Sequence, residues 1–357
     1  MNLGPGSRRI RVNFLLENTF SVCCDIEETC NEVKIYLNRV INLDSLNKSK
    51  LTSTELKSIV GQPIKSVTEL ADGWANTAYS IVLSDGTPLV LKVAPAKDKP
   101  LMRCEQNNMR TEVEALRLVA KSANVPVPRV LSYDPSCSLV PCEYFIMEYI
   151  QGTPLNKIKA SLSEEELAAV QEEIGVYNKR INTIQGETFG LLGRPERGRM
   201  TWKEVFHSMI EGVLADGEEI GVVFPESYGE IRRQMLRHFD ALDEVKVPYL
   251  VHWDLWEGNV FIQDGKVSGI IDFERAFWGD PFIEFFFGRF GASPAFERGY
   301  GRSITTEGEQ RRRLLYNLYL DLILVIECEF RKYTDQKHIA WTYENFKTGF
   351  EQLVTRF

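Results

Sequence analysis

The chain has 357 residues, 44% of them hydrophobic and 26% charged, and a formal net charge of −8. This is the profile of a globular protein large enough for two lobes, and the acidic balance argues against a nucleic-acid binder. Seven cysteines, an odd number without a C-x-x-C pair, argue against a disulfide framework or a zinc site and point to thiols in a reducing, cytoplasmic compartment.

Residues 1–50 carry no recognisable chemistry and read as an N-terminal extension. Ser7-Arg8-Arg9 is followed by an apolar run that Asn13, Glu17 and Asn18 break, so no export signal is expected. Thr52–Val60 reads as a short helix, with Glu55 three residues after Thr52 as in a capping box. Pro63–Leu70, Tyr79–Leu83 and Leu89–Val93 read as strands. Ala71–Thr77 is a turn around Gly73, and Ser84-Asp85-Gly86-Thr87 is a hairpin signal. Asn108–Ser122 places Met109, Val113, Leu116 and Val119 at helical spacing. Pro126 and Pro128 stop that helix. Val130–Tyr133 and Tyr144–Tyr149 read as further strands.

After Gln151-Gly152-Thr153-Pro154 the pattern becomes helical. Ser163–Thr183, with Ser163 as cap and Glu166 three residues on, is followed by Trp202–Ala215, Ser227–Leu242 and Arg311–Lys332. Val260–Ile262 and Val267–Ile271 are short strands around Asp264-Gly265. The apolar stretches Phe282–Phe290 and Leu314–Phe330 contain charges and fall short of about 18 uncharged residues, so no membrane span is expected. The expected architecture is α+β: an extension at 1–50, a small antiparallel β lobe with one helix at 51–150, and a larger, mainly helical lobe at 151–357.

The informative segment is His252-Trp253-Asp254-Leu255-Trp256-Glu257-Gly258-Asn259, followed by Ile271-Asp272-Phe273-Glu274. Asp254 and Asn259 have the D-x-x-x-x-N spacing of a kinase catalytic loop, and Asp272 ends a strand where a kinase has its second aspartate. On these two motifs the chain resembles the aminoglycoside phosphotransferase family of small-molecule kinases, also called choline/fructosamine-kinase-like, over about residues 58–340. The resemblance implies a protein-kinase-like fold. It implies an ATP-dependent phosphotransferase acting on a hydroxyl of a small molecule, either an aminoglycoside-like antibiotic or a small metabolite alcohol.

The resemblance also implies roles. Asp254 would orient the hydroxyl and accept its proton, as an ionised carboxylate can. His252 would order the loop. Asn259 and Asp272 would hold Mg2+ through oxygen. Lys92, the one charge in the apolar strand Leu89–Val93, would meet ATP phosphates and pair with Glu112, with Glu114 as competitor. Backbone amides from Gly73 to Thr77, those of Gly73 and Asn76 among them, would cradle phosphates, and backbone groups of Glu148 and Ile150 would take the adenine edge.

Trp253 stands where many members have glycine, and Trp256 is a second indole nearby. Both either shape the acceptor pocket or pack the core. Asp280 and Glu284 either meet a cationic acceptor, which the net charge suits, or cap the next helix. Glu211, Asp216, Glu218 and Glu219 read more readily as a solvated helix face than as a cation site. A protein kinase is disfavoured because G-x-G-x-x-G, D-F-G and A-P-E are missing. A pseudokinase-like nucleotide-binding module would not need Lys92, Asp254, Asn259 and Asp272 together. Oligomeric state is left open.

Overall fold

The computed structural model describes residues 48–70, 76–97, 99–192 and 200–357. Gly73, Cys23, Cys24, Cys30 and the extension up to residue 47 lie outside the described residues. Helix α1 (Ser53–Val60) opens with the Thr52–Glu55 capping box and ends at Gly61 in the left-handed region, φ 65°. Strands β1 (Ile64–Leu70), β2 (Thr77–Leu83), β3 (Pro88–Val93), β4 (Val130–Asp134) and β5 (Tyr144–Glu148) form one antiparallel sheet, ordered β1-β2-β3-β5-β4.

Helix α2 (Asn108–Ser122) spans the residues its periodicity predicts and buries Met109, Val113, Leu116 and Val119. Successive strand residues face opposite ways, and the sheet uses this to build two cores. Val90, Phe145 and Met147 join α2 and the main core, while Ile81, Leu91 and Ile146 pack with Leu56 and Val60 of α1. Strand β3 is therefore covered on both faces, which is why it is apolar apart from Lys92.

The larger, helical part follows. Its elements are β6 (Thr153–Pro154), α3 (Leu155–Ile158), α4 (Glu164–Ile181), β7 (Gly190–Leu191), α5 (Trp202–Ile220) and α6 (Tyr228–Leu236). Then come β8 (Tyr249–Val251), β9 (Val260–Gln263), β10 (Lys266–Ile270), β11 (Phe277–Gly279), α7 (Pro294–Tyr300), α8 (Glu307–Phe330) and α9 (Gln336–Thr355). Two small sheets, β10-β9-β6 and β7-β11-β8, carry the loops between them. The β9–β10 turn uses Asp264 and Gly265 at φ 50° and 73°, the doubly left-handed turn that matches strand twist.

Some boundaries differ from the sequence expectation. Ser227–Leu242 is not one helix: α6 stops at Leu236, and a 3-10 turn takes over at Phe239–Glu244. Helix α5 runs on to Ile220 because Gly221 supplies its left-handed stop. Helix α8 starts at Glu307 rather than Arg311, since Thr306 and Glu309 form a capping box. No helix among the described residues is long and apolar enough to cross a membrane.

Candidate active site

Lys92 is buried on β3. Its ammonium lies 2.8 Å from both carboxylate oxygens of Glu112 on α2 and 2.6 Å from Asp272 Oδ1. Burial works against the charge on Lys92, but Asp272 and Glu112 outweigh it and hold the ammonium above its ordinary range. Burial would likewise raise Asp272, yet the Lys92 charge and hydrogen bond hold it below the usual carboxylate range. Glu114 faces elsewhere and pairs with Arg110 at 2.6 Å, as its position two residues from Glu112 requires.

The loop after β8 brings Asp254 and Asn259 beside Asp272. Asn259 Nδ2 donates to the Asp254 carbonyl at 2.8 Å, and the Ile271 amide donates to the Asn259 carbonyl at 3.0 Å. Trp253 and Asp272 both adopt positive φ, 66° and 69°. Non-glycine residues there cost on the order of 1–3 kcal/mol and persist only where the surroundings impose them. The imposing group at Trp253 is Glu284. This fully buried carboxylate accepts from the His252 amide at 2.8 Å, the Trp253 amide at 2.9 Å, Asn178 at 2.9 Å and Asn182 at 3.1 Å. His252 is buried too, and its Nε2 donates to the Ile271 carbonyl at 2.9 Å. Burial lowers its affinity for a proton. The ring therefore ties the Asp254 loop to the Asp272 strand.

Glu284 thus does not face an acceptor. Nor does Asp280, a buried carboxylate that accepts from Arg312 at 2.9 Å and Tyr316 at 2.8 Å and caps the turn at Pro281–Ile283. The acidic stretch on α5 is largely the solvated helix face that was expected, with Glu218 and Glu219 exposed and Glu211 half-exposed, and Asp216 is the exception. Asp216 is buried and pairs with Arg103, which also reaches Glu219 at 2.5 Å, while Arg232 holds Glu211 and Glu218 at 2.9 Å each. Each of these α5 acids has an arginine partner.

Asp254 is half-buried, and burial pushes its carboxyl up to about 7, with the Arg275 charge opposing the rise. Asn76 is buried at the start of β2, and its amide donates to Glu274 Oε2 at 2.6 Å. Glu274 and Arg275 are the residues to which sequence reasoning gave no role. The available signal was Glu274 as the fourth residue of Ile-Asp-Phe-Glu, two residues past Asp272. Carboxylate oxygens of Glu112, Asp272 and Glu274 all lie within 4.8 Å of one another. Three acids thus surround one ammonium. Their oxygens are a hard donor set of the kind that a divalent cation takes.

At the far end of the sheet, the Glu148 amide donates to the Arg129 carbonyl at 3.0 Å and its carboxylate pairs with Arg129 at 2.8 Å. Its side chain is thereby occupied. Ile150 stands two residues on, against Gly269. Trp253 is buried against Tyr319 and Phe277, with the Arg275 guanidinium 5.5 Å from its ring. Trp256 is half-buried over Gly258.

A small antiparallel sheet with one helix, seated on a helical body that carries an aspartate loop and a second aspartate, is the protein-kinase-like fold. The model of the phosphotransferase enzyme family matches residues 66–315, and the chain belongs to that family. It is 27% identical over 260 residues to a probable ketoamine kinase of Vibrio vulnificus, covering 70% of this chain and 82% of that protein. It is 27% identical over 145 residues to the altered inheritance of mitochondria protein 9 of Clavispora lusitaniae, but this match spans 39% of the chain and only 24% of that longer relative. Its fold matches a thermostable mutant of an aminoglycoside phosphotransferase, solved as a ternary complex with AMP-PNP and hygromycin B. That match has a TM-score of 0.61 at 20% identity and covers 84% of this chain and 98% of that one.

Proposed function

We propose that this chain is a small-molecule kinase that moves the γ-phosphate of ATP to a hydroxyl, with Asp254 orienting and deprotonating that hydroxyl. The observation that carries the reading is the Lys92 ammonium held between Glu112 and Asp272 beside the Asp254–Asn259 loop. Phosphoryl transfer asks a protein for positioning and charge compensation. Lys92 would present its ammonium to phosphate oxygens. The amides from Gly73 to Thr77 would cover the phosphates, and the backbone of Glu148 and Ile150 would take the adenine edge. Asn259 and Asp272 would hold Mg2+, which when bound offsets phosphate charge. His252 would keep the loop in register without touching the reacting atoms. A reducing, cytoplasmic setting, expected from the odd cysteine count without a C-x-x-C pair, belongs to the same reading.

The likeness to ketoamine kinases over most of their length makes a sugar-amine hydroxyl the first acceptor class to test, with aminoglycosides second. The test is acceptor-dependent ADP release with Mg-ATP over fructosamines, aminoglycosides, choline, ethanolamine and homoserine. A strong hit on one class supports the reading. Absence of any nucleotide binding sinks it, and tight Mg-ATP binding without turnover on any acceptor favours the nucleotide-binding module instead.

Asp272→Asn removes both a metal oxygen and a counter-charge to Lys92. Mg2+-dependent ATP affinity is expected to fall by about 100-fold, the upper end of what losing even a supporting partner costs a metal site. Titration calorimetry with and without Mg2+ checks this. An unchanged metal-dependent affinity would remove Asp272 from the ligand set.

A further inference from the structure

We propose that Arg331 is a positioning residue for the site: through Glu105 it sets where helix α2 begins, and through Glu327 and Arg275 it ties that beginning to the segment bearing Asp272. Its catalytic consequence rests on the kinase reading above; its structural consequence does not.

Helix α2 has no cap of its own. Asn107, the residue before it, sits at φ 67° and makes no side-chain bond to the first turn. The entry of the helix must therefore be fixed from outside. The turn that precedes it, Arg103–Glu105, is held on two sides. The Arg103 amide donates to Asp216 Oδ2 at 2.8 Å, and its guanidinium reaches Asp216 and Glu219 on α5. Glu105, three residues before the helix, accepts from the Met102 amide at 3.0 Å and pairs with Arg331.

Arg331 lies just past α8 and is only 4% exposed. It meets Glu105 across 226 residues of sequence and Glu327 at 2.8 Å. Glu327 in turn lies 3.6 Å from Arg275. Arg275 belongs to the turn Phe273–Arg275 directly after Asp272, and α2 packs on that same turn. A chain of alternating charge, Glu105–Arg331–Glu327–Arg275, thus runs from the start of α2 to the metal segment. It is a second route between them, separate from the Lys92–Glu112 pair.

Apolar side chains of the same shape would pack there at least as stably, because buried ions lose their hydration. What a buried charge chain supplies is register: each member has one arrangement in which no charge is orphaned. Glu112 stands early in α2, so a shift at Glu105 carries directly to the carboxylate that holds Lys92.

The test uses hydrogen exchange of the full chain without ligand, comparing wild type with Arg331→Met. Protection of the amides Thr111–Leu116 is expected to fall about tenfold, within the range carried by coupled side-chain networks, while amides of α4 keep theirs. Equal protection at Thr111–Leu116, or a uniform fall across the chain, overturns the proposal. Glu105→Gln is the milder variant, leaving Arg331 with Glu327, and should give the same local loss at about threefold. In the second arm, the Kd for Mg-ATP should rise about tenfold in Arg331→Met with the acceptor KM unmoved, and Arg331→Lys should recover most of it. A folded Arg331→Met that binds Mg-ATP as tightly as wild type also overturns the proposal. If wild type binds no nucleotide, the kinase reading falls alone, and exchange at α2 still decides the role of Arg331.

Discussion

Asp254→Asn should lower turnover by about 10²–10⁴-fold and leave Mg-ATP binding nearly intact. Asparagine keeps the shape of the side chain and the Asp254 backbone carbonyl that Asn259 holds at 2.8 Å, so the loop has no reason to move. What it removes is the proton acceptor. A positioned general base contributes typically about 10²–10⁴-fold, and the loss in kcat should fall in that range. The pH profile separates this role from a purely structural one. Burial raises the Asp254 carboxyl to about 7 against the pull of Arg275. Only the ionised form can take a proton, so kcat/KM should climb as pH rises through about 7 and level off above it. The residual rate of Asp254→Asn should lack that limb. Turnover close to wild type in the variant would exclude Asp254 as the base.

The parts of the fold that were legible in the sequence are those whose cause is local. The capping boxes at Thr52–Glu55 and Ser163–Glu166 announce their helices because donor and acceptor lie three residues apart. Helix α2 shows in its apolar period. The Asp254–Asn259 spacing and the strand before Asp272 were legible for the same reason: one turn of chain sets the distance. Strands β7, β8 and β11 are two or three residues long, too short for any alternation to register.

The roles of the acids were the least legible. Glu284 and Asp280 read equally as acceptor contacts or caps, because nothing nearby in sequence shows that Asn178 lies 106 residues away from one, or that Arg312 reaches the other. The same holds for Glu211, Asp216, Glu218 and Glu219, whose arginine partners come from α6 and from the turn before α2. Trp253 was the visible exception to a local rule. A bulky residue at a position that suits glycine signals that the surroundings impose the backbone, although the sequence does not say what imposes it.

Glu284 is that constraint, and its removal carries the second large effect. In Glu284→Gln one acceptor oxygen becomes an NH2 group that faces donors: the Trp253 amide on one side, or the His252 amide with Asn178 and Asn182 on the other. At least one buried N–H then loses its partner. An orphaned buried donor costs roughly 1–3 kcal/mol and a hydrogen bond to a charged acceptor is worth about 1.5–3 kcal/mol, so unfolding free energy should drop by about 2–4 kcal/mol. Trp253 would also lose the contact that keeps it at φ 66°, and relaxation there displaces Asp254, its neighbour. A misplacement of about 1 Å at a reacting group lowers the rate about 100-fold. Urea unfolding and kcat measured on the same variant test both halves. Glu284→Asp, with one methylene fewer, keeps two acceptor oxygens but cannot reach all four donors, and should fall between wild type and Glu284→Gln in both measurements. A Glu284→Gln protein with wild-type stability and kcat would mean that the loop holds its shape without the carboxylate, and that the strain at Trp253 is borne by the packing of its ring on Tyr319 and Phe277.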